Sequence, residues 1–396
     1  MTNGIICEYN PFHKGHLYHI QSTLAHTDGA PIICVMSGHY VQRGEPALLD
    51  KWTRTRMALA AGAALVLELP TYYSTATAEW FSYGAISLLK HTGLVDTLSF
   101  GLEDPTKLPA LQAVTAHLQP ESPAYQALLQ QNLTDTASFA QARAKAISEL
   151  AGVSLPLQSP NTILVLEYLK ALRSLSWNPK LLPVKRQSSG YHDLSTEALY
   201  PSASAIRRQA AAGRSILPYL PDCSLAYLPS PYVLPEDLMS PLSYALCFHT
   251  PETLADVDEV NEGLENRILA IANCYPSYSD LLQQLKTKRY PTSRLRRVLL
   301  NILLGITKTR KNALSFTDGP AYLRVLGFRK DQEAVLSHLT RTADLPVITN
   351  LPKQLSQLPM RAQEMLKDEL RFSRIYAASH PDLQRDSEFR QPIIVL

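Results

Sequence analysis

Four short and nearly continuous apolar runs, each followed by a helical pattern or a polar turn, fill the first hundred residues. The runs are Gly4–Glu8, Pro31–Ser37, Ala64–Leu69 and Thr97–Gly101, and apolar residues recur at helical spacing from Leu17, over Lys51–Ala63 and over Thr77–His91. Strands that are apolar on both faces and alternate with helices belong to a parallel sheet covered on each side. The expected class is α/β, a Rossmann-like parallel-sheet domain followed by a mainly helical C-terminal region. In such sheets ligands bind beyond the carboxyl ends of the strands, where His13, Ser37-Gly38, Pro70 and Gly101 fall.

The loop after the first run reads Tyr9-Asn10-Pro11-Phe12-His13-Lys14-Gly15-His16. Asn10-Pro11 and Gly15 force a turn, and a helix is expected to begin near His16. Backbone N–H groups and the positive end of a helix dipole favour a phosphate at such a place. Gly15 allows close approach, and the flanking imidazoles of His13 and His16 can donate to developing phosphoryl charge. This is the His-x-Gly-His arrangement of nucleotidyltransferases, which act at the α-phosphate of a nucleoside triphosphate. The plainer alternative is a tight strand-to-helix loop without chemistry. A zinc site through His16 and His19 is poorly supported, because no acidic or Cys cluster follows at ligand spacing.

A chain of 396 residues with 45% hydrophobic and 18% charged residues has room for two or three ordinary globular domains. No apolar run approaches the roughly 18–20 residues that span a bilayer. Cys7, Cys34, Cys223, Cys247 and Cys274 are scattered, without a Cys-x-x-Cys pair, and no basic leader precedes the first strand. A reduced, cytoplasmic protein with no membrane partner and no structural metal is expected. Six prolines between Pro218 and Pro241 interrupt regular structure. They divide the chain into a nucleotide domain over 1–217, a linker over 218–241 and a mainly helical, basic region over 242–396. The net charge of +3 hides twelve Lys or Arg between Lys286 and Lys330, opposed only by Asp318. Upstream, Pro251–Glu265 is acidic. A charge block of that density reads as a footprint for a polyanion.

Ser202–Arg208 opens a further helix, where Ser204 and Arg207 would offer a hydroxyl and a guanidinium to a triphosphate; simple capping is the competing reading. Arg43, in the loop after the second strand, suits a phosphate or a carboxylate. Asp50 reads as an N-cap rather than a catalytic acid. Within the basic segment Lys288, Arg289, Arg294 and Arg297 are the candidate RNA contacts, with Arg294 and Arg297 on one exposed face and Tyr290 and Phe328 available for stacking. A solvated basic face is the bland alternative.

Several stretches, taken jointly, carry a resemblance: Glu8–His16, Ser37–Pro46, Asp50–Trp52, Ala78–Phe81, Phe100-Gly101, Pro160-Asn161, Glu167–Leu172, Ser189–Asp193, Ser204–Arg207 and Arg324–Phe328. Over nearly its whole length the chain resembles the bacterial tRNA(Met) cytidine acetate ligases. The resemblance implies ATP-dependent joining of acetate to the wobble cytidine of elongator tRNA(Met) through acetyl-adenylate, giving N4-acetylcytidine, with Mg²⁺ accompanying ATP and no role for DNA. It places ATP on Cys7, Glu8, Tyr9, Asn10, Pro11, Phe12, His13, Lys14, Gly15, His16, Leu17, Tyr18, His19 and Ile20, and on Gly101, Asn161 and Arg186. Leu102, Thr162 and His39 depart from the family pattern. The rival readings are a small-metabolite nucleotidyltransferase that transfers AMP or CMP, which leaves the basic segment idle, and a non-catalytic RNA-binding protein, against which the intact histidine loop counts.

Overall fold

The computed structural model describes residues 1–133, 139–153, 155–157, 159–186, 201–228, 231–271, 276–287 and 290–396. In chain order its first half gives β1 (Asn3–Cys7), α1 (Lys14–His26), β2 (Ile32–Ser37), α2 (Lys51–Ala60), β3 (Leu65–Leu69), α3 (Ala78–His91), β4 (Thr97–Leu102), α4 (Pro160–Ser174), β5 (Lys180–Lys185) and α5 (Ala203–Ala211). The second half adds α6 (Thr292–Leu304), α7 (Lys308–Ala313), β6 (Leu323–Phe328), β7 (Val347–Ile348), α8 (Met360–Ala378) and β8 (Ile394–Val395), together with shorter helices.

The strands form one sheet in the order β8-β6-β3-β2-β1-β4-β5, with β7 on the side of β6. β1 to β5 run parallel, and β6 lies antiparallel to β3, Glu68 facing Arg324. Successive crossovers carry the chain from β1 to β2 and β3, then back to β4 on the other side of β1. The crevice between the carboxyl ends of β1 and β4 is therefore the topological switch point.

Both faces are dry, as the unbroken apolar runs require. Val35, Leu67, Ile86, Leu89, Leu166 and Leu366 belong to the core under α3, α4 and α8. Ile5, Cys34, Val66, Ile20, Met57 and Leu326 belong to the core under α1 and α2. A separate small core, including Leu254, Leu281, Leu295 and Val298, organises the helices between 239 and 304.

The proline-rich division does not coincide with a division of the sheet. β6, β7 and β8 lie in the region read as helical and basic, yet they extend the same sheet as β1. The reason is local: Tyr322–Phe328 is buried throughout, an apolar run with the same two-sided pattern as β2. The described part of the proline-rich segment packs on the sheet domain, with Tyr227, Leu228 and Tyr232 against the α1–α2 core and the Val233 N–H bonded to the Leu48 carbonyl.

Candidate active site

His13 is the N-cap of α1, so the helix begins at Lys14, two residues before the start expected at His16. The Gly15 N–H donates to His13 Nδ1 at 3.0 Å, and the His13 N–H donates to His16 Nδ1 at 3.3 Å. This is a capping box built from two imidazoles in place of the usual hydroxyl and carboxyl. Each Nδ1 is an acceptor, so a neutral ring carries its proton on Nε2. The rings stack with centroids 3.7 Å apart. Burial, with Arg186 and Arg207 nearby, lowers the pKa of His13 to about 3. Burial, His13 and Arg186 hold His16 well below its usual range. His19 is lowered to about 4 by burial and by Arg186, and its Nε2 meets the Ser99 hydroxyl on β4 at 3.0 Å. Two neutral Nε2–H donors thus flank a helix N-terminus.

At pH 6 a free imidazole is mostly protonated. Long-range 1H–15N spectra of this protein at pH 6 are expected to show His13 and His16 as neutral Nε2–H tautomers. Imidazolium shifts for either ring would contradict the assignment. The unfolded chain protonates His13 and His19 near pH 6.5, the folded one only near 3 and 4, and His16 shifts in the same direction. Their contribution to stability is intact above pH 6.5 and declines as pH falls through that window.

His13, Gly15, His16, Tyr18 and His19 line a cleft together with Gly101, Val184, Lys185, Arg186 and Pro201. Gly101 lets Arg186 lie close against β4: a Cβ there would sit 3.2 Å from Arg186 Cγ. Asn161, at the start of α4, donates to Glu103 at 2.7 Å, and Arg186 Nη1 reaches Asn161 Oδ1 at 3.5 Å. Burial pushes the Glu103 carboxyl up, but hydrogen bonds from Ser159 and Asn161 outweigh it and the net shift is downward. Of the departures, Leu102 is buried in the core, Thr162 donates to Glu103 at 3.3 Å, and His39 stacks on Tyr376.

On the other side of the loop, α5 begins at the N-cap Ser202, whose hydroxyl accepts from the Ala205 N–H. Arg207 donates to the Asn10 carbonyl at 2.9 Å and approaches Glu45 at 3.4 Å. Arg43 Nη1 is 3.5 Å from the Ser204 hydroxyl. Loop 42–46 is fixed to the sheet by the Gln42 N–H, which donates to Glu8 at 2.8 Å. It is fixed to α6 by Gly44, whose φ of +72° and closeness to the Arg296–Arg297 backbone leave no room for a side chain. Ser204, Arg207, Arg43 and the histidine loop, separate candidates in the sequence, lie beside one another in the structure. Asp50 is an N-cap, accepting from the Thr53 N–H at 2.8 Å.

The basic segment is different. Arg297 is 8% exposed and makes a bidentate pair with Glu259 at 2.6 Å, so the shared exposed face with Arg294 does not exist. Arg294 bonds the Glu259 carbonyl and packs its guanidinium 5.3 Å from the Tyr290 ring. Tyr290 and Phe328 are core residues rather than stacking platforms. Arg296 pairs with Glu45, Arg310 with Glu364 and Asp368, and Lys311 with Asp258. Arg324 is buried between Glu68 and Glu388. The acidic stretch upstream and distant carboxylates have folded onto the cations, so the charge count of the segment greatly overstates its field. Lys288, Arg289 and the Ser189–Asp193 stretch lie outside the described residues. Arg297→Ala should consequently lower thermal stability and leave the salt dependence of RNA binding unaltered; a flatter salt dependence at unchanged melting temperature would restore the surface reading.

One positioning group was missed. Arg54, fully buried, donates to the carbonyls of Leu49, Glu8, Ser37 and Gly38. It ties the carboxyl ends of β1 and β2 together with no salt-bridged carboxylate among the described residues, and an Arg between two threonines in a helix carries no pattern that reveals this. Among the described residues no three His, Cys, Asp or Glu side chains cluster to hold a metal, and no helix is long and apolar enough to cross a membrane.

Neutral imidazole donors and arginines gathered at the switch point of a parallel sheet define a nucleotidyltransferase site of the His-x-Gly-His class, and a family model described as HIGH Nucleotidyl Transferase matches residues 1–390. Proteins named tRNA(Met) cytidine acetate ligase from Caldanaerobacter subterraneus subsp. tengcongensis and from Thermoanaerobacter sp. (strain X514) are each 36% identical over 405 residues, covering 99% of both chains. The chain belongs to the tRNA(Met) cytidine acetate ligase family. The apo crystal structure of Thermotoga maritima TmcAL superposes with a TM-score of 0.92 at 31% identity, covering 100% of this chain and 99% of that one. The same protein bound with alpha-thio ATP gives 0.90 at 31% identity, with the same coverage.

Proposed function

We propose that this protein ligates acetate to the wobble cytidine of elongator tRNA(Met), using ATP, in the bacterial cytoplasm. An acetate oxygen attacks the α-phosphorus of ATP, the bond to the β-phosphate oxygen breaks, and pyrophosphate leaves acetyl-adenylate behind. The cytidine N4 then attacks the acetyl carbonyl, loses a proton, and AMP departs with the bonding pair.

The observation that carries this reading is the pair of neutral Nε2–H imidazoles at the N-terminus of α1. Donors of that kind stabilise charge that builds on the α-phosphate in the transition state, and being uncharged they do so without gripping the ground-state triphosphate. Arg186 and Arg207, one on each side of the loop, are placed to neutralise the phosphates, and Ser204 and the first N–H groups of α5 add donors. Gly101 and Asn161 bound the nucleotide side of the cleft. Arg43, beside Ser204, fits the carboxylate of acetate. Acetate is a weak nucleophile and the cytosine amine a weaker one, so orientation and a good leaving group do most of what is needed. Mg²⁺ would be held by the nucleotide's own phosphates, since the described residues supply no ligand cluster.

Labelled acetate, total bacterial tRNA and the purified protein, with and without ATP, test the proposal. ATP-dependent label mapped to the wobble cytidine of elongator tRNA(Met) is the expected result. A folded protein that binds ATP and transfers AMP or CMP to a small metabolite, with no label on tRNA, would overturn it.

A further inference from the structure

A second cleft opens on the same edge of the sheet, between the first turn of α3 and α7. Its lining includes Trp80, Lys308, Lys311, Asn312, Phe316 and Asp318, and its volume is about 410 Å³. The segment from Pro70 to Thr77 leaves the carboxyl end of β3 and delivers Trp80 to this edge, and its Ala76 carbonyl accepts from Gln42 of the loop beside the histidine site. β3 is two strands from β1, a separation of roughly 10 Å across the sheet.

The cleft has the parts of a nucleotide subsite. Phe316 is stacked on Tyr73 with centroids 4.7 Å apart, and Trp80 lies against it at 4.8 Å, half-buried, with part of its ring open to the cleft. Lys311 Nζ sits 3.8 Å over the Phe316 ring and is paired with Asp258. Lys308 bonds only the carbonyls of Ala255 and Val260, so its charge has no carboxylate partner among the described residues. The side chains of Asn312 and Asp318 are exposed and line the cleft.

The wall of the cleft is also held in an unusual conformation. Ser315 has φ +47°, a left-handed backbone that costs energy in a residue other than glycine. Arg361 keeps it there, donating to the carbonyls of Leu314, Ser315 and Gly319. Nothing in the adenylation chemistry uses this loop.

We propose that the cleft takes a nucleotide of the tRNA anticodon loop that neighbours the reacting cytidine, its base stacked on Trp80, its edge on Asn312 and Asp318, and its phosphate near Lys308. The inference rests on the tRNA reading above. A cytidine splayed out of the loop to reach the histidine site leaves its neighbours without stacking partners, and an aromatic face replaces what they lost. An amide and a carboxylate offer both acceptors and donors to a base edge, as nucleobase readers do.

The test uses the full chain and an unmodified elongator tRNA(Met) transcript. Trp80→Ala should weaken tRNA binding roughly tenfold or more, whereas Trp80→Phe keeps a ring and most of the affinity. Acetate-dependent ATP–pyrophosphate exchange, which takes place in the histidine cleft without RNA contact, reports whether each variant is folded. If Trp80→Ala fails to fold, Asn312→Ala and Asp318→Asn at exposed positions decide instead, and each should weaken binding several-fold. Unchanged affinity in the folded variants overturns the assignment while leaving the ligase reading standing. Loss of self-association in Trp80→Ala at unchanged tRNA affinity would give the cleft to a second copy of the chain. A wild-type protein that neither binds nor acetylates the tRNA brings down the ligase reading itself.

Discussion

Replacing His16 by alanine lowers acetate-dependent ATP–pyrophosphate exchange at least about 100-fold while the protein stays folded. The magnitude is that of removing one preorganised donor aimed at transition-state charge, about 2.7 to 4 kcal/mol. The fold tolerates the change because His16 receives the His13 N–H at the start of α1, a contact worth roughly 0.5 to 2 kcal/mol, and otherwise packs its ring against His13, Tyr9 and Phe12, which still pack on one another or on the core without it. His13→Ala removes the N-cap as well as a donor, so it should lose both more stability and a similar factor in rate. The signature is a fall in kcat with little change in KM for ATP, since a neutral donor adds more to the transition state than to the ground state. Exchange kinetics alongside thermal melts measure both. Activity within a few-fold of wild type in melted-and-matched samples would remove the histidines from the chemistry.

Lys51→Met is expected to be the most destabilising single change away from the site. Lys51 Nζ lies 2.5 Å from Glu68 and 2.6 Å from Glu388, and the three side chains are at most 3% exposed. Arg324 pairs with the same two carboxylates. Removing the ammonium leaves two buried carboxylates sharing one guanidinium, and breaking a buried pair of this kind costs about 3–5 kcal/mol. Glu369 is close by and is already pushed up to about 7 by burial and by Glu68. Urea unfolding should show a much lower midpoint at unchanged slope. A loss under about 1 kcal/mol would mean that water or a rearranged Arg324 satisfies the carboxylates.

These two residues mark the limits of what the chain reveals before it is folded. β1 to β4 and the histidine loop were legible because each is local: an apolar run, a turn, a helix with its cap. Arg186 and Asn161 came from resemblance alone, since their meeting with Gly101 depends on β4 and β5 lying side by side. The basic segment misled because a charge count treats every Lys and Arg as solvated, whereas Arg297, Arg310 and Arg324 find carboxylates 38, 54 and 64 residues away. Arg54 was invisible for a related reason. Its partners are backbone carbonyls at strand ends, which no side-chain pattern encodes.

The antiparallel seating of β6 on β3 has a consequence for how the protein comes into being. Until residue 328 has left the ribosome, β3 is a bare edge of Leu65–Leu69, an apolar strand able to pair with another chain. Glu68, on that edge, receives Arg324, and Arg324 in turn receives Glu388, only as synthesis nears its end. The nucleotide-binding half is thus not a self-sufficient early product of translation. It waits, with its histidine loop already made, for the last seventy or so residues to close the sheet beside it, and fragments that stop near 241 should aggregate instead of binding ATP.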